Sequence, residues 1–399
     1  MKYIIIVPDG MADEPLDILG GKTPLEAADT PNLDHLAQHG MTGLLKTIPD
    51  KMSPGSDVGN LALLGYDPEK CFFGRAPLEA ASQGIMLADN EVAFRCNLVT
   101  VVDNKMMDYS AGHISTKEAA VFIGDLNKKI MRPEVKFYVG KSYRHLMVIK
   151  TRDPQTMFRL KTTPPHDIQD QDTRKYLPQG EPAQILLELM ESSKKLFDNH
   201  PVNQVRLDLK ENPATIIWLW GQGVRPQLPA FAEKFGVRGG IISAVDLVMG
   251  IGKLTGLKVI DVPGATGYFD TNYLGKAQYA LDFLKKNDFV YIHIEAPDEA
   301  GHNGDVRQKI AAIEHIDKEI IGTILNYFKG KDDVRILVTP DHPTPVGKRA
   351  HTREPVPFVM YGKNIPRDGA ETYSETAARG KGLKFPSGED LMRTFMNAS

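Results

Sequence analysis

Cysteine is nearly absent: the 399-residue chain has two, Cys71 and Cys96. Two thiols cannot staple a fold of this length, and such thin usage suits a reducing compartment. Long apolar runs are also missing. The chain opens Met1-Lys2 and passes into Tyr3–Val7, shorter than the ~7–15 residues of a secretory core, and no later run approaches the ~18 of a membrane span. Nor is there an excess of one charge. With 48 basic and 51 acidic side chains the net charge is −3, which argues against a general nucleic-acid or membrane-surface binder but leaves room for a local anion pocket. Repeats and low-complexity tracts are missing too. The remaining composition, 42% hydrophobic and 25% charged, is that of an ordinary globular protein. At ~100–200 residues per domain the length predicts two domains, or one large core with an insertion. The expectation is a soluble cytoplasmic protein.

Short apolar runs bounded by turn residues mark the strands: Tyr3–Val7, Ala214–Trp220, Lys258–Val262, Phe289–Ile294, Arg335–Thr339 and Val356–Tyr361. Continuous apolar runs of this length suit strands buried on both faces, as in a parallel sheet between helices. Lys276–Lys286 and Asp305–Phe328 carry helical periodicity, with Asp305 placed to cap the second. This alternation predicts a doubly wound α/β core. From Glu91 to Arg206 the pattern changes. Val92–Val102, Val135–Val139 and Leu146–Lys150 read as strands and Gln184–Phe197 as a helix, with turn-rich stretches between. An inserted α+β cap domain over 91–206 is therefore expected, with the core formed by 1–90 and 207–399. Trp218 and Trp220 lie in an apolar run and read as core.

Acidic and histidine residues follow the strand ends. Asp9 comes after Ile4–Val7, Asp298 and His302 after Tyr291–Ile294, Asp341 and His342 after Ile336–Val338, and His351 nine residues later. In a parallel α/β sheet the carboxyl ends of the strands form the crevice where ligands bind. Mixed Asp and His donors without thiolates suit Mn²⁺, Zn²⁺ or Mg²⁺ rather than a structural Cys-type zinc site. Six such groups can hold two ions, the arrangement that clamps a phosphoryl group. A nucleophile is expected near a helix start, and Ser56, after the turn Pro54-Gly55, meets that need. Backbone amides, the positive end of the helix dipole and a nearby cation would all favour its alkoxide. The competing reading makes Ser56 a simple N-cap; Ser53, followed by Pro54, lies further from the helix start.

Asp9, Gly55-Ser56-Asp57-Val58-Gly59, Asp298-x-x-x-His302, Asp341-His342 and His351-Thr-x-x-Pro-Val-Pro357, in that order, resemble the alkaline phosphatase superfamily. Leu63-Leu-Gly-Tyr-Asp-Pro68, Gly74-Arg-Ala-Pro-Leu-Glu79, Ala93-Phe-Arg-Cys-Asn-Leu-Val-Thr100, Ala111-Gly-His-Ile114 and Ser142-Tyr-Arg-His-Leu146 narrow the resemblance. They are similar to segments of the archaeal-type 2,3-bisphosphoglycerate-independent phosphoglycerate mutases. The resemblance implies an alkaline-phosphatase-like core, a two-metal site and a phosphoserine intermediate in exchanging 2- and 3-phosphoglycerate. It implies that Asp298, His302 and His351 hold one divalent ion and Asp9, Ser56, Asp341 and His342 the other. Mn²⁺ is the expected metal, with Mg²⁺, Zn²⁺ or Co²⁺ as alternatives. A small phosphorylated hydroxy acid needs cationic partners, and Arg75, His113, Arg144 and Lys276 are the candidates. His166 reads as a substrate, hinge or loop residue and His315 as helix surface.

Competing activities differ in what they require. Sulfatases share such a core but place their nucleophile in Cys/Ser-x-Pro-x-Arg, and Ser56-Asp-Val-Gly-Asn60 has neither the Pro nor the Arg. A metal-dependent phosphatase would use the same residues without a cap that retains glycerate. A kinase, as proposed for relatives acting on homoserine, needs an ATP site. Gly250-Ile-Gly-Lys-Leu-Thr-Gly256 places Leu254 where a P-loop has Ser or Thr, and it follows a helical pattern. A metal-stabilised binding protein would have no need of a hydroxyl at the Ser56 position.

Overall fold

In the computed structural model, which describes residues 1–71 and 73–397, the chain divides into two compact units. One comprises Met1–Phe72 with Gln227–Ser399, the other Phe73–Pro226.

The first unit is built on an eight-stranded sheet. Its order is Lys384–Phe385, Met41–Leu45, Val356–Gly362, Val334–Val338, Lys2–Pro8, Phe289–Ile294, Gly239–Ile242 and Lys258–Val259. The four strands from Val334–Val338 to Gly239–Ile242 run parallel, and so does Lys258–Val259 beside them. Ile4, Ile5, Ile6 and Val7 are all fully buried, as a strand covered on both faces requires. Only Val356–Gly362 reverses, lying antiparallel to both of its neighbours. The expected largely parallel sheet flanked by helices is present.

Helices supply the covering layers. Tyr273–Leu284 starts at Asn272, whose side chain accepts from Gly275 N at 2.8 Å, and buries Ala277, Ala280, Leu281 and Leu284. The helical run from Val306 to Phe328 is capped by Asp305, as its sequence predicts, and contains a π-helical stretch at Ile316–Ile321. Within that stretch Asp317 turns inward and accepts from Asn32 N and Leu33 N. It thereby satisfies the first turn of the helix Pro31–His39, whose own Thr30 provides no cap bond.

One buried ion pair ties the loops that follow the central strands. Lys309 Nζ lies 2.7 Å from Asp13 Oδ2 and 2.9 Å from the carbonyl of Thr344, with both charged side chains fully buried. Lys309→Met should cost roughly 3–5 kcal/mol, because Asp13 is left as an uncompensated buried charge. Urea unfolding measures this directly, and a midpoint equal to wild type would show that the pair contributes nothing net.

The second unit is an antiparallel sheet centred on Glu91–Val102, which pairs with Lys105–Asp108, Arg144–Lys150 and Ile216–Val224. Val135–Lys141 pairs in turn with Arg144–Lys150. The helices Thr116–Lys129 and Ala183–Phe197 contribute Phe122, Leu126, Leu186, Leu189 and Phe197 to a core shared with Trp218 and Trp220. This unit is wider than the expected 91–206. The run near Ala214–Trp220 is not a core strand, because it lies along Glu91–Val102 instead. At the other end, Ala76 and Ala80 of the helix Ala76–Ser82 pack on Ala93, Leu146 and Val148. Among the described residues no helix is long and apolar enough to cross a membrane.

Candidate functional site

The register of the first unit's sheet brings the acidic residues together. Pro8 pairs with Ile294 and Ile6 with Val338, so the segments after all three strands leave the same edge. Gly10 makes the crowding possible: it has φ +62°, and a Cβ there would lie 2.5 Å from Asp298 Oδ1 and from Thr344 Oγ1. Gly59 lets the helix Ser56–Leu63 approach Asp341, whose carbonyl oxygen would be 2.5 Å from an added Cβ.

Two groups of donors converge. In one, His302 Nε2 is 3.3 Å from Asp298 Oδ2 and 2.9 Å from His351 Nε2, while His351 Nε2 is 3.4 Å from Asp298 Oδ1. His302 Nδ1 lies 3.1 Å from the carbonyl of Arg349. A proton on Nδ1 donates there and leaves the Nε2 lone pair facing the cluster. In the other group, Ser56 Oγ is 3.2 Å from His342 Nε2 and 3.5 Å from Asp9 Oδ2. His342 Nε2 is 3.4 Å from Asp9 Oδ1 and 3.6 Å from Asp341 Oδ2. Ser56 is the first residue of its helix, Gly55 holds the cap position, and no side-chain cap bond is made. The N-cap reading of Ser56 therefore does not hold. Its hydroxyl faces the donors instead.

A supporting layer fixes these groups. Asn60 Nδ2 donates to Asp341 Oδ2 at 2.7 Å and to the Ser56 carbonyl at 2.9 Å, while Tyr291 OH donates to Asn60 Oδ1. Thr344 Oγ1 donates to Asp298 Oδ1.

Four carboxylates in so small a volume repel one another. Burial, then Asp341, Asp298 and Glu295, push Asp9 well above the usual carboxylate range. Burial and then Asp298 push Glu295 up to about 8. Burial acts the same way on Asp298, but hydrogen bonds from His302 and His351 hold it well below its ordinary value. Asp9 Oδ1, His293 Nε2 and Glu295 Oε2 are buried without a hydrogen-bond partner. Such orphaned donors, with Asp298–His342–His351 and Asp9–His293–Asp341 each spanning no more than 4.8 Å, fit divalent cations.

A pH dependence follows. Glu295 has its folded-state pKa raised from 4.5 to about 8. The associated stability is complete below 4.5 and is lost as pH rises through about 8. The melting temperature of chelator-treated protein should therefore fall between roughly pH 4.5 and pH 8. Added Mn²⁺ should flatten the profile, since a cation favours the ionised carboxylates. A flat profile without metal would contradict this electrostatic picture.

The remaining candidates fall elsewhere. Lys276 requires correction as a substrate ligand: it is 1% exposed and donates to the carbonyl of His293 at 2.8 Å. Arg75, His113 and Arg144 belong to the second unit. There His113 stacks edge-on to Tyr143, and Arg95 lies 4.1 Å over the Trp220 ring, its pKa lowered first by burial and then by the charges of Arg75 and Arg144. His166 packs edge-on to Trp220, and His315 stacks on Tyr273. His293 is hidden in the sequence inside the apolar run Phe289–Ile294, and Glu295 directly follows that run without being singled out. Their signal is a pair of polar residues two apart, His293 within the strand end and Glu295 just after it, five and three positions before Asp298.

Residues 37–203 match the family model for 2,3-bisphosphoglycerate-independent phosphoglycerate mutase. An enzyme of that name from Methanothrix thermoacetophila is 48% identical over 395 residues, 98% of this chain and 99% of its own. A Pyrococcus horikoshii protein of known structure superposes with TM-score 0.84 at 30% identity, covering 100% of this chain and 98% of that one. The cofactor-independent phosphoglycerate mutase of Thermoplasma acidophilum gives 0.69 at 27% identity, covering 99% of each. The chain belongs to the 2,3-bisphosphoglycerate-independent phosphoglycerate mutase family.

Proposed function

We propose that this protein interconverts 2-phosphoglycerate and 3-phosphoglycerate in the cytoplasm, without 2,3-bisphosphoglycerate, through a phosphoserine at Ser56. The observation that carries the reading is the Ser56 hydroxyl. It stands at a helix start, unused as a cap, within 3.5 Å of both Asp9 and His342. In the first half-reaction a bond forms between Ser56 Oγ and phosphorus as the substrate's ester oxygen leaves. In the second, the other glycerate hydroxyl attacks phosphorus and Ser56 Oγ leaves, so the phosphoryl group has moved by one carbon.

Asp298, His302 and His351 would hold one divalent ion, and Asp9, Ser56, Asp341 and His342 the other, with Mn²⁺ the expected metal. Bound there, the ions would supply charge neutralisation for the phosphoryl oxygens and a lowered pKa for the serine hydroxyl. The helix Ser56–Leu63 begins at the hydroxyl-bearing residue, so the positive end of its dipole lies at the same place. Asn60 keeps Asp341 and the Ser56 backbone in fixed relation. Arg75, His113 and Arg144 are the side chains we assign to the substrate's anionic groups, Arg being suited to bidentate contact. The second unit is read as a cap that keeps the intermediate glycerate from leaving.

Kinase chemistry through a P-loop has no support, because Gly250–Leu254 is part of the helix Asp246–Leu254 rather than a phosphate-cradling loop. The test is a coupled assay of 3-phosphoglycerate conversion with Mn²⁺, with EDTA, and without 2,3-bisphosphoglycerate. Formation of 2-phosphoglycerate only with metal is expected. Release of inorganic phosphate instead would make the protein a phosphatase.

A further inference from the structure

One buried group beside Asp9 has no part in the ligand sets assigned above. His293 is fully buried near the end of the strand Phe289–Ile294, in register with Val7. Its Nε2 stands 3.1 Å from Asp9 Oδ2, yet out of line for a hydrogen bond, and has no other partner. That nitrogen and one oxygen each from Asp9 and Asp341 all lie within 4.8 Å of one another, a spacing that one ion can span. The far side of the ring is engaged. Nδ1 is 3.3 Å from Ser243 Oγ and 3.8 Å from Glu295 Oε2. Metal-bound imidazoles are oriented in this way, with the second ring N–H given to an oxygen. Lys276 Nζ, donating to the carbonyl of His293, holds the backbone of the same residue. Ser243 Oγ is itself fixed by accepting from Val245 N at 3.0 Å.

We propose that His293 Nε2 is a further ligand of the ion held by Asp9 and Asp341, an inference that rests on the two-ion reading above. It adds a fourth imidazole to His302, His342 and His351. Lys276 and Ser243 fix the ring before an ion arrives, so the position is preset. A nitrogen donor where water would otherwise bind favours Mn²⁺, Co²⁺ or Zn²⁺ over Mg²⁺.

The full-length protein, stripped of metal and reloaded with Co²⁺, provides a test independent of activity and of any substitution. Ligating imidazoles show paramagnetically shifted ring N–H resonances in proton NMR. Four such signals are expected; three, with the His293 N–H unshifted, would overturn the inference. Calorimetric titration with Mn²⁺ gives a second readout. His293→Ala should bind one of two ions at least ~10-fold more weakly and leave the other unchanged; wild-type affinities for both would count against it. His342→Ala separates the two levels. If wild type binds two ions and His342→Ala weakens one while His293→Ala weakens neither, this inference alone fails. If wild type does not bind two ions, the underlying reading fails and the inference falls with it.

Discussion

Ser56→Ala should lower mutase turnover by roughly 10⁴-fold or more, the scale seen when a covalent nucleophile is removed. Alanine offers no oxygen to phosphorus. The neighbouring hydroxyl, Ser53, precedes the turn Pro54-Gly55 and is not on the helix, so it cannot take the same line of attack. The variant should nevertheless retain metal, because Asp9, Asp341 and His342 still converge on the second ion position. Stability should change little, since Ser56 is only partly buried and does not cap its helix. Loss of turnover with metal content preserved is the signature expected, measured by the coupled assay beside elemental analysis. Loss of both together would assign Ser56 to metal retention instead.

Asp298→Ala should remove the ion that His302 and His351 share. Both imidazoles face this one carboxylate, at 3.3 and 3.4 Å. Removing a supporting hydrogen-bond partner of a metal ligand typically costs ~10–100-fold in affinity, and a direct ligand should cost more. Activity should fall with occupancy. The metal-free fold should lose some stability, because His302, His351 and Thr344 lose the carboxylate that they hold ionised. Relief of the repulsion that Asp298 exerts on Asp9 and Glu295 offsets only part of that loss. Mn²⁺ titration and thermal unfolding of the stripped protein check the two halves of this expectation. Unaltered Mn²⁺ stoichiometry in the variant would remove Asp298 from the ligand set.

What could be read from the sequence was governed by burial. Lys2–Pro8, Phe289–Ile294 and Val334–Val338 sit at the centre of the sheet, so their apolar runs are unbroken and the polar residues after them stand out. That is why Asp9, Asp298, Asp341 and His342 were legible as a set, and why Asp305 was legible as a cap. Strand direction is not written in such runs: Val356–Gly362 reads like its neighbours and runs the other way. Partner choice is equally silent, and Ile216–Val224 pairs with the second unit's sheet although its composition suits either. Gly239–Ile242 went unrecognised because two glycines dilute its apolar signal, required where a Cβ on Gly239 would lie 2.5 Å from the Phe289 ring. Lys276 misled for a different reason. A lysine on an amphipathic helix is expected at the surface, and only the inward-facing carbonyl of His293 explains its burial.

Acid quenching of the Mn²⁺-loaded enzyme during turnover of 3-phosphoglycerate, followed by mapping of phosphorylation by mass spectrometry, tests the Ser56 intermediate itself. A phosphoryl group on Ser56 is expected, absent before substrate is added and absent from Ser56→Ala. Phosphate on another residue, or an active Ser56→Ala enzyme, would contradict it.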